Sequence, residues 1–529
     1  MIAKLQQLTK DGSDGLYHLS IGRIEPHVLQ STLDMVDVAL TPDAAAIKSL
    51  DSSKKLQDDV FKISFSALHI TGINLRDLLS KDHLSLKDIS ITDPIIEVYH
   101  KKRWYNKEAR IKSDSSSLYQ KIMKTMKSIS INNIGIAHGT FITHNLSKKN
   151  QVNRFNNVSI SMNDMLIDSS TRFDKNRFLF AKRAQLSVKK FSARTPDSLY
   201  FLNCGSINIS TSENNLTALK VELHPRGSKQ QFESRLSERK EMYTLTIPKI
   251  TLSNINWWDL ANGEKLLAKK AVIAGFRCSI FLDRSLPFRK VKLNNFPHQI
   301  LMRFPIPVSI SKMYLHHSNL SYSEYNPGMD KTGIIYIDDI NGEVTNITNI
   351  HGQIKRSKWL TIRSTGLFMH KIPVTTGFQF DLSKYKTGDF KMELHIGEMD
   401  TSILNIIAAP LGEFMLQKGT IQKGIAHIKG DNFKATGEGE LLYKDLYLVG
   451  LKKDKNRPSK VKKKGFISFL GNVFLIKNEN PSKGETPRLV NFAFQREAKT
   501  TFFSLIWKTI FLGVLKTIGL PASFAEKAY

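Results

Sequence analysis

Cysteine is almost absent from this sequence, whose 529 residues include only Cys204 and Cys278. Two distant thiols cannot form the disulfide framework of a small secreted domain, and neither has the CxxC or Cys/His spacing of a zinc site. We therefore predict that both are small core hydrophobes. So few cysteines fit an oxidising or a reducing compartment equally well.

Recognisable catalytic motifs are also missing. The sequence contains no P-loop, HExxH or GxSxG pattern, and Leu442 stands where the third glycine of a GxGxxG motif beginning at Gly437 would belong. Four histidines without acidic partners at metal-ligand spacing are interpreted as ordinary core or surface residues: His138, His144, His316 and His317. The sequence therefore predicts a protein that is not an enzyme and uses no cofactor or metal.

Acidic residues are scarce relative to basic ones, 48 against 77, which gives a formal net charge of +29. Such an excess favours anionic partners, either nucleic acid or acidic lipid headgroups. Nucleic acid is the remote alternative, because the basic residues are scattered rather than gathered on one face. The one dense run, residues 452–464, is predicted to be a loop that is either solvated or in contact with headgroups. The candidate headgroup contacts are Lys462, Lys463, Lys464 and Lys508.

The first residues, MIAKLQQL, are too polar for a signal peptide and too short for a membrane span. We expect residues 1–14 to form a short residual helix.

An internal repeat organises most of the chain. The segment from Gly15 to Ile24 aligns with Ser198 to Ile207, so that Tyr17 falls on Tyr200. At nearly the same offset, Pro42 falls on Pro225, and the Asn and Asp of residues 73–78 fall on those of residues 255–260. Period-two alternation alone does not require matching Tyr, Asn, Asp and Pro. The sequence therefore predicts a duplicated unit over residues 15–185 and 198–367.

Apolar residues alternate with polar ones over many short segments, as in half-buried β-strands. Helical periodicity is confined to residues 74–79, 119–126 and 402–409 and to the C-terminal segment. The sequence predicts an all-β fold in which an elongated, curved and twisted sheet forms a groove, with barrels or sandwiches as alternatives. The candidate groove-lining residues are Phe61, Ile63, Phe65, Val158, Ile160, Met162, Leu219, Val221, Leu223, Met392 and Leu394.

Residues 501–520 are the most apolar part of the chain and have about the length of a membrane span. Lys508 at the centre disfavours spanning, because a charge in hydrocarbon is costly. The sequence instead predicts an amphipathic helix over residues 499–521 that lies on a membrane or at the groove end. The alternative is a helix that plugs the open end of its own sheet. The residues expected to make these contacts are Phe502, Phe503, Trp507, Phe511 and Leu515.

Several segments resemble the AsmA-like family, in particular Bacteroidetes-type members that contain a domain of unknown function. They are residues 14–21 (DGLYHLSI), 70–79 (ITGINLRDLL), 93–99 (DPIIEVY), 399–411 (MDTSILNIIAAPL), 418–424 (KGTIQKG) and 437–446 (GEGELLYKDL). The last three resemble the AsmA C-terminal region, here expected over residues 368–498.

The resemblance implies a taco-like β-groove in the periplasm of the bacterial cell envelope. It also implies attachment to the inner membrane by an N-terminal helix that this sequence does not contain. Family members of this architecture are thought to carry phospholipid toward the outer membrane, in the manner of bridge-like lipid-transfer proteins. We expect a membrane lipid and envelope proteins as partners and no nucleic acid. The alternative function is a structural or assembly factor for outer-membrane proteins.

Overall fold

The computed structural model describes residues 2–74, 83–106, 127–147, 151–171, 174, 176–195, 197–261, 265–287, 293, 295–412, 414–454, 457–463, 476–496 and 501–520. These residues are mostly β-structure with few short helices, and the strands form a twisted, open, mixed sheet. The predicted all-β fold class is confirmed. The chain folds into two compact units: unit 1 contains residues 1–195, 202–221 and 253–262, and unit 2 contains residues 196–201, 222–252 and 263–529.

The described strands, in chain order, are β1 Tyr17–His27, β2 Thr32–Pro42, β3 Asp59–Thr71, β4 His83–Thr92, β5 Ile95–His100, β6 Ser128–Asn145, β7 Gln151–Ile167, β8 Ala181–Arg194, β9 Tyr200–Ser210, β10 Asn215–Pro225, β11 Met242–Ile255, β12 Leu266–Ala274, β13 Arg277–Asp283, β14 Val308–Asn326, β15 Lys331–Thr348, β16 Trp359–Phe368, β17 Ile372–Asp381, β18 Phe390–Ile396, β19 Met399–Asp400, β20 Phe414–Gly430, β21 Lys434–Asp454, β22 Arg457–Lys463 and β23 Leu489–Gln495.

The described α-helices are α1 Ile2–Gly12, α2 Ala44–Ser52, α3 Lys229–Glu233, α4 Trp257–Ala261, α5 Pro297–Met302, α6 His351–Ile354, α7 Asn405–Gly412 and α8 Phe502–Thr517. Short 3-10 turns cover Val28–Gln30, Trp104–Asn106, Leu382–Lys384 and Thr401–Leu404. Helical structure is therefore present near the chain start, at residues 402–409 and in the C-terminal segment. Most of residues 74–79 and all of residues 119–126 lie outside the described residues.

In unit 1, β1, β2 and β3 pair antiparallel, and β3 pairs with both β4 and β5. Both of these strands run parallel to β6, which is followed by antiparallel β7 and β8. The register aligns apolar side chains across the strands. One such row consists of Ile24, Met35, Leu68, Ile91, Ile136, Ile160 and Leu186. Alternation along each strand thus produces one apolar face of the sheet.

The same strand arrangement occurs a second time. β11 pairs antiparallel with β13, and both β12 and β13 run parallel to β14, as β4 and β5 do to β6. The matched tyrosines also have equivalent roles: the hydroxyl of Tyr17 accepts a hydrogen bond from the Phe61 backbone N–H at 3.1 Å, and that of Tyr200 accepts one from Tyr243 N–H at 3.2 Å. The repeated arrangement therefore includes a side-chain contact, while the repeat and region boundaries given above stay predictions.

In the described part of the basic run, residues 452–454 and 457–463, paired strands stand where the sequence predicted a loop. β21 continues to Asp454 and pairs antiparallel with β22, so that Lys452 lies opposite Lys462 and Lys453 opposite Val461. The loop prediction is wrong because backbone pairing does not require apolar side chains, and lysine-rich strands are common where a sheet must stay soluble.

The core of unit 2 lies between its sheet and α8. Phe502, the first residue of α8, is buried among aromatic rings, with ring centroids 4.9 Å from Phe296, 5.7 Å from Phe380 and 5.4 Å from Phe390. Such ring pairs add to the stabilisation that apolar burial provides. α8 therefore packs on its own sheet.

His298, on α5, is fully buried beside this aromatic cluster, and its ring centroid lies 5.0 Å from that of Phe380. Neither ring nitrogen finds a hydrogen-bond partner among the described residues. Burial lowers the pKa of His298 to about 4, although Asp389 and Asp381 act in the opposite direction. The imidazole is therefore neutral in the folded protein at neutral pH.

We expect His298→Phe to remove part of the acid sensitivity of the fold. Because the unfolded chain binds this proton near pH 6.5 and the folded chain only near pH 4, native stability falls across that interval, by roughly 3 kcal/mol for this group. The measurement is chemical denaturation of both proteins between pH 7.5 and pH 4. Parallel stability curves for the two proteins would contradict the assignment.

Candidate functional site

The candidate groove residues of the first copy lie on the apolar face of unit 1. Ile63 belongs to a row with Leu40 and Ile96, and Met162 to a row with Ile134 and Ala184. Ile160 belongs to the seven-strand row given above. Most of these side chains are half-buried, so the face retains apolar surface that is open to a ligand.

The remaining candidates differ in exposure. Val158 is buried, Phe65 is half-buried opposite Val38, and Phe61 is 37% exposed at the start of β3. Leu219 and Val221 are half-buried in β10. Leu223 packs against a small local core under α3, formed by Leu199, Tyr200 and Phe232.

Unit 2 contains a cavity of about 480 Å³ between its sheet and helices α7 and α8, which we call the α8 cavity. Strands β14 to β18, β20, β21 and β23 contribute to its floor and walls. Seven candidate residues from the sequence line it: Met392, Leu394, Phe502, Phe503, Trp507, Phe511 and Leu515. The fold thus brings together two sets of candidates, from the sheet and from the C-terminal helix, that lie far apart in the sequence.

One wall of the α8 cavity is a stripe along α8. Its members are Phe503, Trp507, Ile510, Phe511 and Val514, whose spacing places them on one helix face. The other side of α8 includes the buried residues Leu505 and Leu512 and packs on the sheet, and Gly513 lies against Phe492. Phe503, at 43% exposure, is the most accessible aromatic residue of α8.

The facing wall is built from sheet residues that sequence reasoning missed: Leu320, Ile335, Ile337, Ile340, Phe368 and Val374. Small residues deepen the floor between the walls, because Ala426 pairs with Gly439 across β20 and β21, and Ser364 pairs with Thr376 across β16 and β17. The alternation of apolar and polar residues along β14 and along β15 is a sequence signal for the apolar wall. The position of the small residues beneath a helix is set by strand register and has no local sequence signature.

Polar groups are concentrated beyond one edge of the α8 cavity. Tyr322, which lines it, donates a hydrogen bond to Glu324 at 2.9 Å, and Glu324 lies 3.5 Å from Arg284. The register places Tyr243 on the same face as Tyr322, with Ile280 between them. A polar edge of this kind can hold a hydrogen-bonding group next to an apolar chain.

Glu241 is the most deeply buried carboxyl group of this edge, and Tyr243 donates a hydrogen bond to it. Burial raises the pKa of Glu241, while hydrogen bonds from Tyr243 and Thr501 act to lower it. Thr501 also caps α8, since its side chain accepts a hydrogen bond from Ser504 N–H at 3.2 Å. The buried carboxyl group therefore lies beside the N-terminus of the helix that bounds the cavity.

We expect Glu241→Gln to reduce the loss of stability at rising pH. A raised pKa means that the folded state resists ionisation of Glu241. The contribution of this group to stability is therefore complete below its pKa in the unfolded chain, near 4.5, and is lost as the pH rises through its pKa in the folded protein. Denaturation curves between pH 5 and pH 8 should show a smaller decline for the variant than for the wild type. The control is Glu222→Gln, at an exposed strand position. Equal declines in wild type and Glu241→Gln would refute the assignment.

Among the four basic candidates, Lys508 is the one whose side chain the structure describes. The Nζ atom of Lys508 lies 5.5 Å from the centroid of the Phe494 ring. Lys462 and Lys463 lie in β22, where only the backbone belongs to the described structure, and Lys464 lies outside the described residues.

Three of the four histidines singled out in the sequence, His138, His144 and His317, have carboxylate neighbours that linear spacing did not reveal. His144 lies 3.1 Å from Glu97, and His317 lies 2.7 Å from Asp339. Within the described ranges, no group of three or more His, Cys, Asp or Glu side chains could hold a metal ion.

Comparison with known proteins finds no matching family model and no matching curated protein sequence. In the part of the chain that the structure describes, no helix combines the length and apolarity needed to cross a bilayer.

Proposed function

We propose that this chain is a non-enzymatic lipid-handling protein that holds the acyl chains of phospholipid, or of another membrane lipid, in the α8 cavity. The observation that carries the proposal is the volume and lining of that cavity. About 480 Å³ falls within the range typical of small-molecule sites. Its lining is almost entirely aliphatic and aromatic, with polar groups at one edge, as an amphipathic ligand requires.

The energetics support an acyl ligand. Each methylene that leaves water contributes about 0.8 kcal/mol, so a segment of about ten carbons would gain roughly 8 kcal/mol before the costs of binding are subtracted. The half-buried apolar rows of unit 1 offer a shallower surface, on which a chain would keep more of its contact with water. We propose that this surface holds lipid more weakly than the α8 cavity.

The resemblance to AsmA-like proteins and the net charge of +29 are consistent with a ligand that carries an anionic headgroup. Location in the bacterial cell envelope, attachment to the inner membrane and a role in transfer of phospholipid toward the outer membrane belong to the same proposal. Assembly of outer-membrane proteins is the alternative function, and it does not require lipid in the cavity.

We expect Leu320→Glu to lower the affinity for lipid and Ser321→Glu to preserve it. The two residues are neighbours in β14 and lie on opposite faces of the sheet, with Leu320 in the cavity wall. A carboxylate facing an acyl chain loses hydration without a partner, which lowers affinity by about tenfold or more. Mass spectrometry of lipid extracted from each purified full-length protein measures the occupancy.

Trp507 provides a direct readout in the same proteins. Acyl chains that carry bromine should quench its fluorescence, and Trp507→Phe should lose most of the quenching while it retains bound lipid. Wild-type protein that carries no lipid and shows no quenching would exclude acyl-chain binding and would leave the assembly alternative.

A further inference from the structure

One end of the unit 2 sheet displays apolar and basic side chains together. We call it the basic end and define it by the turns 349–358, 382–389 and 431–434 and by the segment 300–307. The turns meet there because β15 to β18, β20 and β21 are antiparallel neighbours, so that Trp359 pairs with Asp381 and Gly430 with Ala435.

Three large apolar side chains project from the basic end. Ile300 is 55% exposed, Phe304 is 50% exposed and Phe433 is 60% exposed. The basic residues around them are Arg303, Lys355, Arg356, Lys358, Lys384, Lys386 and Lys434, all of them exposed. The acidic residues are fewer, and two are neutralised locally: Asp381 lies 3.3 Å from Lys358, and Asp389 lies 3.6 Å from Lys384.

A hydrogen-bond network fixes these turns relative to one another. The Gln299 side-chain amide donates to the Tyr385 carbonyl at 2.7 Å and to Asn432 Oδ1 at 3.1 Å. Asn432 in turn donates to the Lys386 carbonyl at 2.9 Å. Gln299 and Asn432 are both buried. The exposed residues therefore project from a rigid, preorganised support.

We propose that the basic end is a docking surface for the surface of an anionic lipid bilayer. Isolated aromatic and aliphatic side chains at loop tips can enter the interfacial region, and the surrounding lysines and arginines gain from the negative surface potential. Ile300 and Phe304 come from one segment, at the end of α5, and Phe433 comes from the turn 431–434, so insertion is expected at two points. A nucleic acid would attract the basic residues but would gain little from Ile300 or Phe304.

The choice of a bilayer as partner rests on the proposed function, because a protein that holds lipid must reach a membrane to load or release it. The docking proposal extends that function by assigning the surface that makes this contact. The docking residues differ from those of the α8 cavity, so the two proposals can be tested separately. Leu320→Glu should reduce the lipid held in the α8 cavity and leave docking intact. The docking variants should lose vesicle binding and keep lipid in the cavity.

The test is flotation of the full-length protein with phosphatidylcholine vesicles that contain or lack phosphatidylglycerol. We expect binding to the anionic vesicles only, and we expect it to weaken as salt is added. Lys355→Glu/Lys386→Glu should lower the partition coefficient by about tenfold or more, because two charges near the surface change sign. Phe304→Ser/Phe433→Ser should lower it by a similar factor with no change in charge.

The matched control is Lys331→Glu/Lys371→Glu, which changes the net charge equally at the opposite end of β15 and β16. It should bind vesicles as the wild type does. Equal losses in both lysine pairs, full binding by Phe304→Ser/Phe433→Ser, or equal binding to neutral vesicles would each overturn the proposal. Far-UV circular dichroism and lipid occupancy of the cavity report whether each variant is folded.

Discussion

The cross-strand register of apolar residues is the constraint on which the rest of the structure depends. Each strand alternates, so each has one apolar side, and the register decides whether these sides coincide. In unit 1 they coincide over seven strands, from Ile24 in β1 to Leu186 in β8. A slip of one residue at any pairing would put polar side chains into the row.

A sheet with one apolar face must be covered or must leave apolar surface in contact with water. In unit 2, α8 covers the part of the face formed by β21 and β23, and Gly513 allows it to approach Phe492 closely. The helix does not cover the whole face, so a space remains between its Trp507 side and the wall at Leu320 and Ile337. The cavity thus follows from a helix that is narrower than the sheet beneath it.

Sequence patterns predicted the fold class, the repeated arrangement of strands and α8, because alternation and a long apolar run are local signals. They did not predict the positions at which the alternation of apolar and polar residues along a strand shifts by one residue. In β3 the apolar positions shift between Phe65 and Leu68, and in the paired strand β2 Asp37 adopts a φ of 53°. Asn157 in β7 and Asp339 in β15 have φ values of 51° and 47°. Aspartate and asparagine adopt this conformation more readily than most residues, but nothing in their neighbours marks the site.

The candidate site was predicted only in part, because local patterns are visible in the sequence and strand pairings are not. Met392 and Leu394 are visible as an alternating pair, and Trp507 is visible in an apolar run. Leu320 and Ile337, which face them, become part of the site only through pairings that join β14 to β18. The pairing partners of the histidines were likewise hidden, since the carboxylate next to His144 belongs to β5 and is 47 residues away in sequence.

The apolar lining and the polar edge of the α8 cavity impose different kinds of selection on any ligand. Burial of apolar surface is not directional and grows with area, so the lining discriminates by length and width and hardly at all by chemical group. Hydrogen bonds lose energy steeply with distance and angle, and a buried group left unpaired is costly. The residues of this edge already bind one another: Glu324 accepts a hydrogen bond from Tyr322 and forms an ion pair with Arg284. A ligand group placed at this edge would therefore be selected by how well it fits this network, and not by its area alone.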